Sequence, residues 1–229
     1  VGGTVGIGVV AVLVVALMVT AAVVSWRRRR EAIAGWATAH GWQVLDADRS
    51  LARRWAGPPF NAGSSRRTSE ILSGEMGGRR ALSFRYTYTT TSGSGETRRS
   101  QDHEHHVVAV FLPMALPELA LTPESLGTKI ATAFGGQDIR MESAQFNSLW
   151  RVTSPDLRFA HDVLHPRAME QLLRPDMTGR PLRFAGDAVL TWTNGVPRLD
   201  VIESRVAGLN ELIDAVPAYV WQDRARPTA

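Results

Sequence analysis

A chain of 229 residues with 26 Lys and Arg against 22 Asp and Glu carries a formal charge of +4 and has a sequence pI near 10.3, which at first sight suggests a nucleic-acid binder. Four of those cations, Arg27 to Arg30, form one run; without them 22 basic residues face 22 acidic ones, so the remainder is neutral and no nucleic-acid partner is expected. The absence of cysteine excludes disulfides, thiolate metal sites and cysteine nucleophiles, while a single lysine amid abundant Ala, Gly and Val fits the codon usage of a high-G+C bacterium.

The run from Val5 to Trp26 contains no ionisable side chain. At about 1.5 Å rise per residue it reaches roughly 33 Å, enough for a hydrocarbon core of about 30 Å. A secretory signal carries its charge ahead of a shorter apolar run; here nothing charged precedes Val5 and four arginines follow Trp26. Residues 1–30 are therefore expected to be a transmembrane anchor in the lipid bilayer, with Trp26, Arg27, Arg28, Arg29 and Arg30 at the membrane interface. Arginines flanking a span are retained on the cytoplasmic side. That predicts a single-pass protein of the bacterial plasma membrane, N-terminus outside, with a cytoplasmic domain over residues 31–222 and a tail over 223–229. Gly2 and Gly6 have the spacing that lets two such helices approach closely.

Beyond the arginines, Glu31 to His40 continues the helix and Gly41 is its natural stop. "GWQVLDA" reads as a short strand, and residues 46–68 as irregular surface with Pro, Gly and Asn turn chemistry. "SEILSGEM" and "RRALSFRYTYTTT" flank Gly77-Gly78, the signature of a two-residue hairpin. In the second of these strands Leu82, Phe84, Tyr86 and Tyr88 share one face. After the polar loop "SGSGETRRSQD", "HHVVAVFLP" reads as a central strand stopped by Pro113, with a short strand around Glu118 to Leu121. Thr122-Pro123-Glu124 predicts a helix start running to about Phe134. Phe146 to Val152 alternates as a strand, Ser154-Pro155-Asp156 opens a helix, and His165-Pro166 restarts it at an angle. "PLRFAG" and "AVLTWT" read as a hairpin around Gly186-Asp187, and Asn194-Gly195 as a further hairpin turn. Asp200 and Glu203 have capping-box spacing ahead of an amphipathic helix bearing Ile202, Val206, Leu209, Ile213 and Val216, which ends before Pro217. The expected fold class is α+β: an N-terminal transmembrane helix followed by a domain of antiparallel strands, in hairpins, with packed helices.

The most suggestive chemical cluster is "DHEHH", Asp102 to His106. On a strand His103 and His105 share a face, and such a pair can contribute two ligands to a transition metal. Val107 stands where a His-Glu-x-x-His motif needs its second histidine, and His40, His161 and His165 are distant in sequence, so the pair is a weak candidate metal site. "SGSGE" lacks the spacing of a nucleophile elbow, and "SLGTKI" lacks that of a phosphate-binding loop. Asp46 and Asp48 fit a solvated surface turn, and Trp36, Trp42, Trp55, Trp150, Trp192 and Trp221 are scattered as core anchors. No catalytic residue and no cofactor is expected.

"WAGPPFNAG" (Trp55 to Gly63), the hairpin around Gly74, Glu142 to Leu173 and "DAVPAYVW" (Asp214 to Trp221) resemble uncharacterised single-pass membrane proteins of actinobacteria. The positions Phe146, Val152, Asp156, Ala160 and Leu164 are similar to those of DUF3137-type families of unknown function. The resemblance covers most of residues 31–221 and implies no reaction, cofactor or catalytic residue. The expected function is that of a membrane-anchored, non-enzymatic domain, an interaction or scaffold subunit of a membrane complex, with a membrane-protein partner or a second copy of itself. The alternatives are a small-molecule or lipid-headgroup sensor with a pocket between sheet and helix, and a metal-dependent hydrolase centred on His103 and His105.

Overall fold

The computed structural model describes residues 2–93, 97–126 and 137–225, and within these stretches the side chains from Leu13 to Gln222. The chain divides into two compact units, Val1–Val44 and Leu45–Ala229. The first is one long helix, α1 (Gly2–His40), leading toward a short strand, β1 (Gln43–Leu45). Gly41 ends the helix as expected: it takes φ +71°, and the Trp42 N–H bonds the Ala37 carbonyl at 2.8 Å. Leu13, Val14, Val15, Leu17, Met18 and Val19 are all exposed. Because consecutive positions point around the whole helix, that exposure covers the full circumference.

Among the described residues no helix is long and apolar enough to cross a membrane. The transmembrane helix expected over residues 5–26 is therefore without support among the described residues. The side chains of Val5 to Val12, and the Gly2 and Gly6 pair, lie outside the described residues.

The second unit is α+β, as the sequence patterning implies. Its antiparallel strands are β2 (Ser64–Met76), β3 (Arg79–Ser92), β4 (Arg99–Pro123), β5 (Gln137–Ile139), β6 (Trp150–Ser154) and β7 (Leu182–Asn194). Strands β2 and β3 form the expected hairpin: Met76 faces Arg79, with Gly77 and Gly78 at φ +62° and +71°, values the tight turn requires. Strand β4 is the spine. Its first half carries β3 on one edge and β7 on the other, and its second half holds β6 where β3 has ended. Strand β5 closes the edge beside β6.

Several elements differ from expectation, each for a local reason. Pro113 does not stop β4: Phe111 faces Ala188 and Leu116 faces Gly186, so the extra residues around the proline, which has no N–H to donate, form an irregularity. The same pairing removes the hairpin expected at Gly186-Asp187, because both halves of β7 find partners along β4. Asn194-Gly195 is not a hairpin turn either; the Gly195 N–H bonds the Glu104 carbonyl at 2.9 Å, and the chain leaves through a 3-10 turn, Leu199–Val201. Residues 144–149 are a helix, α2 (Ala144–Leu149), and only Trp150 onward is strand. Ser143 caps that helix by accepting the Phe146 N–H at 3.2 Å, and the Asn147 amide brackets the backbone of Met141 at 3.0 and 2.7 Å. The helix expected after Thr122 is replaced by the end of β4 and a 3-10 turn, Glu124–Leu126, and its remainder falls on residues 127–136, outside those described.

Helix α3 (Leu157–Val163) is capped by Asp156, which accepts the Phe159 N–H at 2.9 Å, and α4 (Pro166–Leu172) restarts after His165 as anticipated. Helix α5 (Ile202–Ala215) buries Ile202, Val206, Leu209 and Ile213 against the sheet. Its capping box is absent: Val201 occupies the cap position, and the Asp200 carboxylate is taken by Arg198. Each such aliphatic side chain contributes about 1.5–3 kcal/mol on burial. Helix α6 (Ala218–Ala225) follows after the break at Pro217.

The opposite face of the sheet is covered by the segment that the sequence suggested was irregular surface. Leu51, Ala52, Trp55 and Phe60 are buried there against Phe84, Tyr86, Val107 and Leu190. Trp55 stacks on Phe84 at 6.2 Å, and Phe60 meets Tyr86 edge-on at 4.9 Å. Arg183, only 2% exposed, ties this cover down by donating to the Ala56 carbonyl and, at 2.7 Å, to Glu118. Gly57 lies against that guanidinium at φ +71°, and a Cβ there would come within 2.8 Å of it, so no other residue fits without displacement.

Candidate functional site

The register of β3, β4 and β7 assembles one cluster of polar and aromatic side chains at the end of the covered face. Tyr86 faces His105, Tyr88 faces His103, and on the other edge His105 faces Asn194 while Val107 faces Trp192. Opposed residues in antiparallel strands share a face, so His103, His105, Tyr88 and Trp192 all lie on the side covered by the Leu51–Phe60 segment. The alternation of "DHEHH" does bring His103 and His105 to one face, as anticipated. Tyr88 then lies against both rings, stacked at 4.8 Å on His103 and 5.7 Å on His105.

The two histidines have different surroundings. His103 is half-buried and its Nε2 lies 2.8 Å from the Thr90 hydroxyl. His105 is 8% exposed, and neither ring nitrogen has a hydrogen-bond partner. Burial, with a smaller contribution from His103, pushes its pKa down to about 4; Asn194 opposes this weakly, without a hydrogen bond of normal geometry. The His105 ring is therefore neutral at pH 7, with one donor and one acceptor.

His105 lines a cavity of about 320 Å³ whose other walls include Pro58, Pro59, Tyr88, Pro181 and Trp192. None of the residues lining it carries a formal charge. The sequence pointed to His105 but not to the prolines and Trp192 around it. Only the alternation of β7 could have placed Trp192 on this face, and "GPP" reads as a turn until the covering segment is seen folded back.

The remaining candidates are distributed elsewhere. His106, on the other face of β4, is buried, with Ser83 at 2.9 Å from its Nε2 and the Arg205 guanidinium at 3.1 Å from its Nδ1. Since the guanidinium can only donate, Nδ1 accepts and Nε2 donates to Ser83. Desolvation lowers the Arg205 pKa to about 10, with the nearby charges of Arg180 and Arg198 adding to it, so it remains a cation at pH 7. His165 bonds the Ala215 carbonyl at 2.8 Å, and His40 the Trp36 carbonyl at 2.8 Å. Asp48 is held below the usual carboxylate range by the Ser50 hydroxyl and N–H that it accepts, the work of a turn. Among the described residues no group of three or more His, Asp or Glu is arranged to hold a metal ion, so the His103 and His105 pair has no third ligand there. Trp26 and Arg27 to Arg30 all lie on α1, with Trp26 exposed and the Arg30 guanidinium 5.3 Å over its ring. A feature the sequence did not single out is an open basic groove of about 690 Å³ lined by Arg49, Arg53, Arg66, Arg67 and the serines at 64 and 65.

No family model and no curated protein matches this chain. Among solved structures, the crystal structure of the mycobacterial trehalose monomycolate transport factor A, TtfA, is similar, with a TM-score of 0.54. The likeness is one of fold. It covers 81% of this chain and 94% of that one at 15% sequence identity, enough for a shared arrangement of elements and too little to carry residues across.

Proposed function

We propose that this chain is a membrane-anchored accessory protein: α1 holds it in the bacterial plasma membrane, and the Leu45–Ala229 unit docks on a membrane-protein partner without catalysing a reaction. The observation that carries the reading is α1 itself. Large apolar side chains from Leu13 to Val24 are exposed to solvent around the helix, ahead of Trp26 and four arginines. Lipid is the environment that removes such a surface from water, and an interfacial tryptophan followed by cations is what an inner-leaflet boundary favours. In this reading the helix is completed by the apolar residues Val5 to Val12 and crosses the bilayer once, with the folded unit on the cytoplasmic side. The same reading takes the chain as an actinobacterial protein of the DUF3137-like kind. It draws further support from the fold neighbour, a mycobacterial trehalose monomycolate transport factor.

Purification of the full chain from membranes in mild detergent is expected to bring down one membrane protein in fixed stoichiometry. A chain lacking residues 2–30 should leave the membrane fraction yet still bind the detergent-solubilised partner through the folded unit, and repeated recovery of the full chain alone would count against the reading. A second reading is favoured by the basic groove: the unit senses a phosphate-bearing headgroup through Arg49, Arg53 and Arg67. On this reading binding to vesicles containing phosphatidylglycerol falls several-fold in an Arg49→Gln, Arg53→Gln, Arg67→Gln variant, and unchanged binding would exclude it.

A further inference from the structure

We propose that the basic groove selects a terminal phosphate, a phosphate monoester, over the phosphodiester that most anionic headgroups carry. The inference rests on the second reading above, in which the groove takes a phosphate-bearing headgroup, and it names the form of phosphate preferred. Besides Gly63, the lining residues are Arg49, Arg53, Arg66, Arg67, Ser64 and Ser65, and no acid is among them. One of the four arginines is spent on the fold. The Arg66 guanidinium donates to the carbonyls of Asn61, Ala62 and Gly63 and to the Asn61 side-chain oxygen, at 3.1–3.2 Å. It thereby holds a turn in which Asn61, Gly63 and Ser65 take positive φ, at 61°, 55° and 52°. Arg49, Arg53 and Arg67 are exposed, and among the described residues none of them has an ion pair or a side-chain hydrogen bond.

The walls that carry these three arginines are fixed. On one side the register of β2 against β3 jumps between Ser64 and Arg67, and Arg67 re-enters the ladder opposite Thr87 after that bulge. On the other side Arg49 and Arg53 flank Leu51 and Ala52, whose burial anchors the 3-10 turn Leu51–Arg53. The Thr68 hydroxyl donates to the Asp48 carbonyl at 2.6 Å and ties this wall to β2. The Asp48 carboxylate accepts the Ser50 N–H and hydroxyl at 2.7–2.8 Å, so it is turned to Ser50 and leaves Arg49 uncompensated. Three cations without a counter-charge favour the ligand of highest charge density. A phosphodiester carries one negative charge and two terminal oxygens. A monoester carries about −1.5 to −2 at neutral pH and three terminal oxygens, so each arginine can donate to an oxygen of its own. Because the groove is open, only the phosphate end of the ligand needs to enter it.

The test titrates the full chain in a non-ionic detergent with dihexanoyl phosphatidate, dihexanoyl phosphatidylglycerol and glycerol 3-phosphate. Each is read by calorimetry against the Arg49→Gln, Arg53→Gln, Arg67→Gln variant, which removes partition into the detergent from the comparison. At pH 8 the phosphatidate should bind about fivefold or more tightly than the phosphatidylglycerol. At pH 5, where the monoester keeps one charge, that preference should fall below about twofold. The arginine, serine and glycine residues that line the groove do not titrate between those values, so the change belongs to the ligand. Glycerol 3-phosphate identifies the source: binding equal to that of the phosphatidate assigns a soluble phosphate ester and weaker binding a lipid, and both results sustain the preference. The proposal is overturned if the phosphatidylglycerol binds as tightly as the phosphatidate at pH 8 while the triple variant still weakens it, which leaves the groove as a headgroup site. Binding of all three probes that is unchanged in the triple variant overturns the proposal and the second reading together.

Discussion

His105 and Gly57 show how much can depend on one position. Burial favours the neutral imidazole, so the folded pKa of about 4 lies below the ordinary value of 6.5. Between those values the unfolded chain takes up a proton that the folded chain does not. Stability is therefore fully present above about pH 6.5 and is lost as pH falls toward 4, by up to about 3 kcal/mol. The groups around the ring are His103, Tyr86 and Tyr88, with Asn194 opposite it on β7. Urea denaturation at pH 7 and pH 4.5 should show the loss, and His105→Gln should flatten it; an equal slope in the variant would remove His105 as the cause. Gly57→Ala forces a side chain into the left-handed region and against Arg183, and should lower the stability of the full chain by about 1–3 kcal/mol. A Gly57→Ala protein with an unchanged denaturation midpoint would show that Arg183 does not fix the covering segment. The sharing of a face by His103 and His105 was legible in the sequence, since alternation is local. The burial of one and not the other was not, because it depends on a segment more than forty residues upstream.

At the scale of elements, the hairpin at Gly77-Gly78, the stop at Gly41 and the apolar stripe of α5 were all legible, because turn glycines and helical spacing are local signals. The readings that failed depended on tertiary partners. Gly186-Asp187 has hairpin composition, yet β4 offers partners on both sides of it, so the strand runs on. Phe146 to Val152 alternates like a strand, but Ser143 and Asn147 supply cap and bracket, and α2 forms. The hairpin of β2 and β3 is itself tied to α5. The Asn210 amide donates to the Met76 carbonyl at 2.8 Å, and Arg79 reaches Asp214 at 2.6 Å. Asn210→Ala leaves that carbonyl without its side-chain donor and should cost about 1–2 kcal/mol, read as a lowered urea midpoint. Arg79→Gln, at a more exposed pair, should cost less than about 1 kcal/mol. If the two substitutions were equal in effect, the amide would not be the tie between helix and hairpin.

For the molecule as a whole, charge bookkeeping separates a neutral folded unit from a basic run at the end of an apolar helix, and this separation was visible in the sequence alone. The basic groove was not, because Arg49 and Arg53 converge with Arg66 and Arg67 only once the segment between them has folded back. The central claim is that α1 carries this unit on a membrane, and alkaline carbonate extraction of bacterial membranes tests it most directly. The account predicts that the full chain stays in the membrane pellet while a chain lacking residues 2–30 is recovered, folded, in the supernatant. Release of the full chain by carbonate would contradict it.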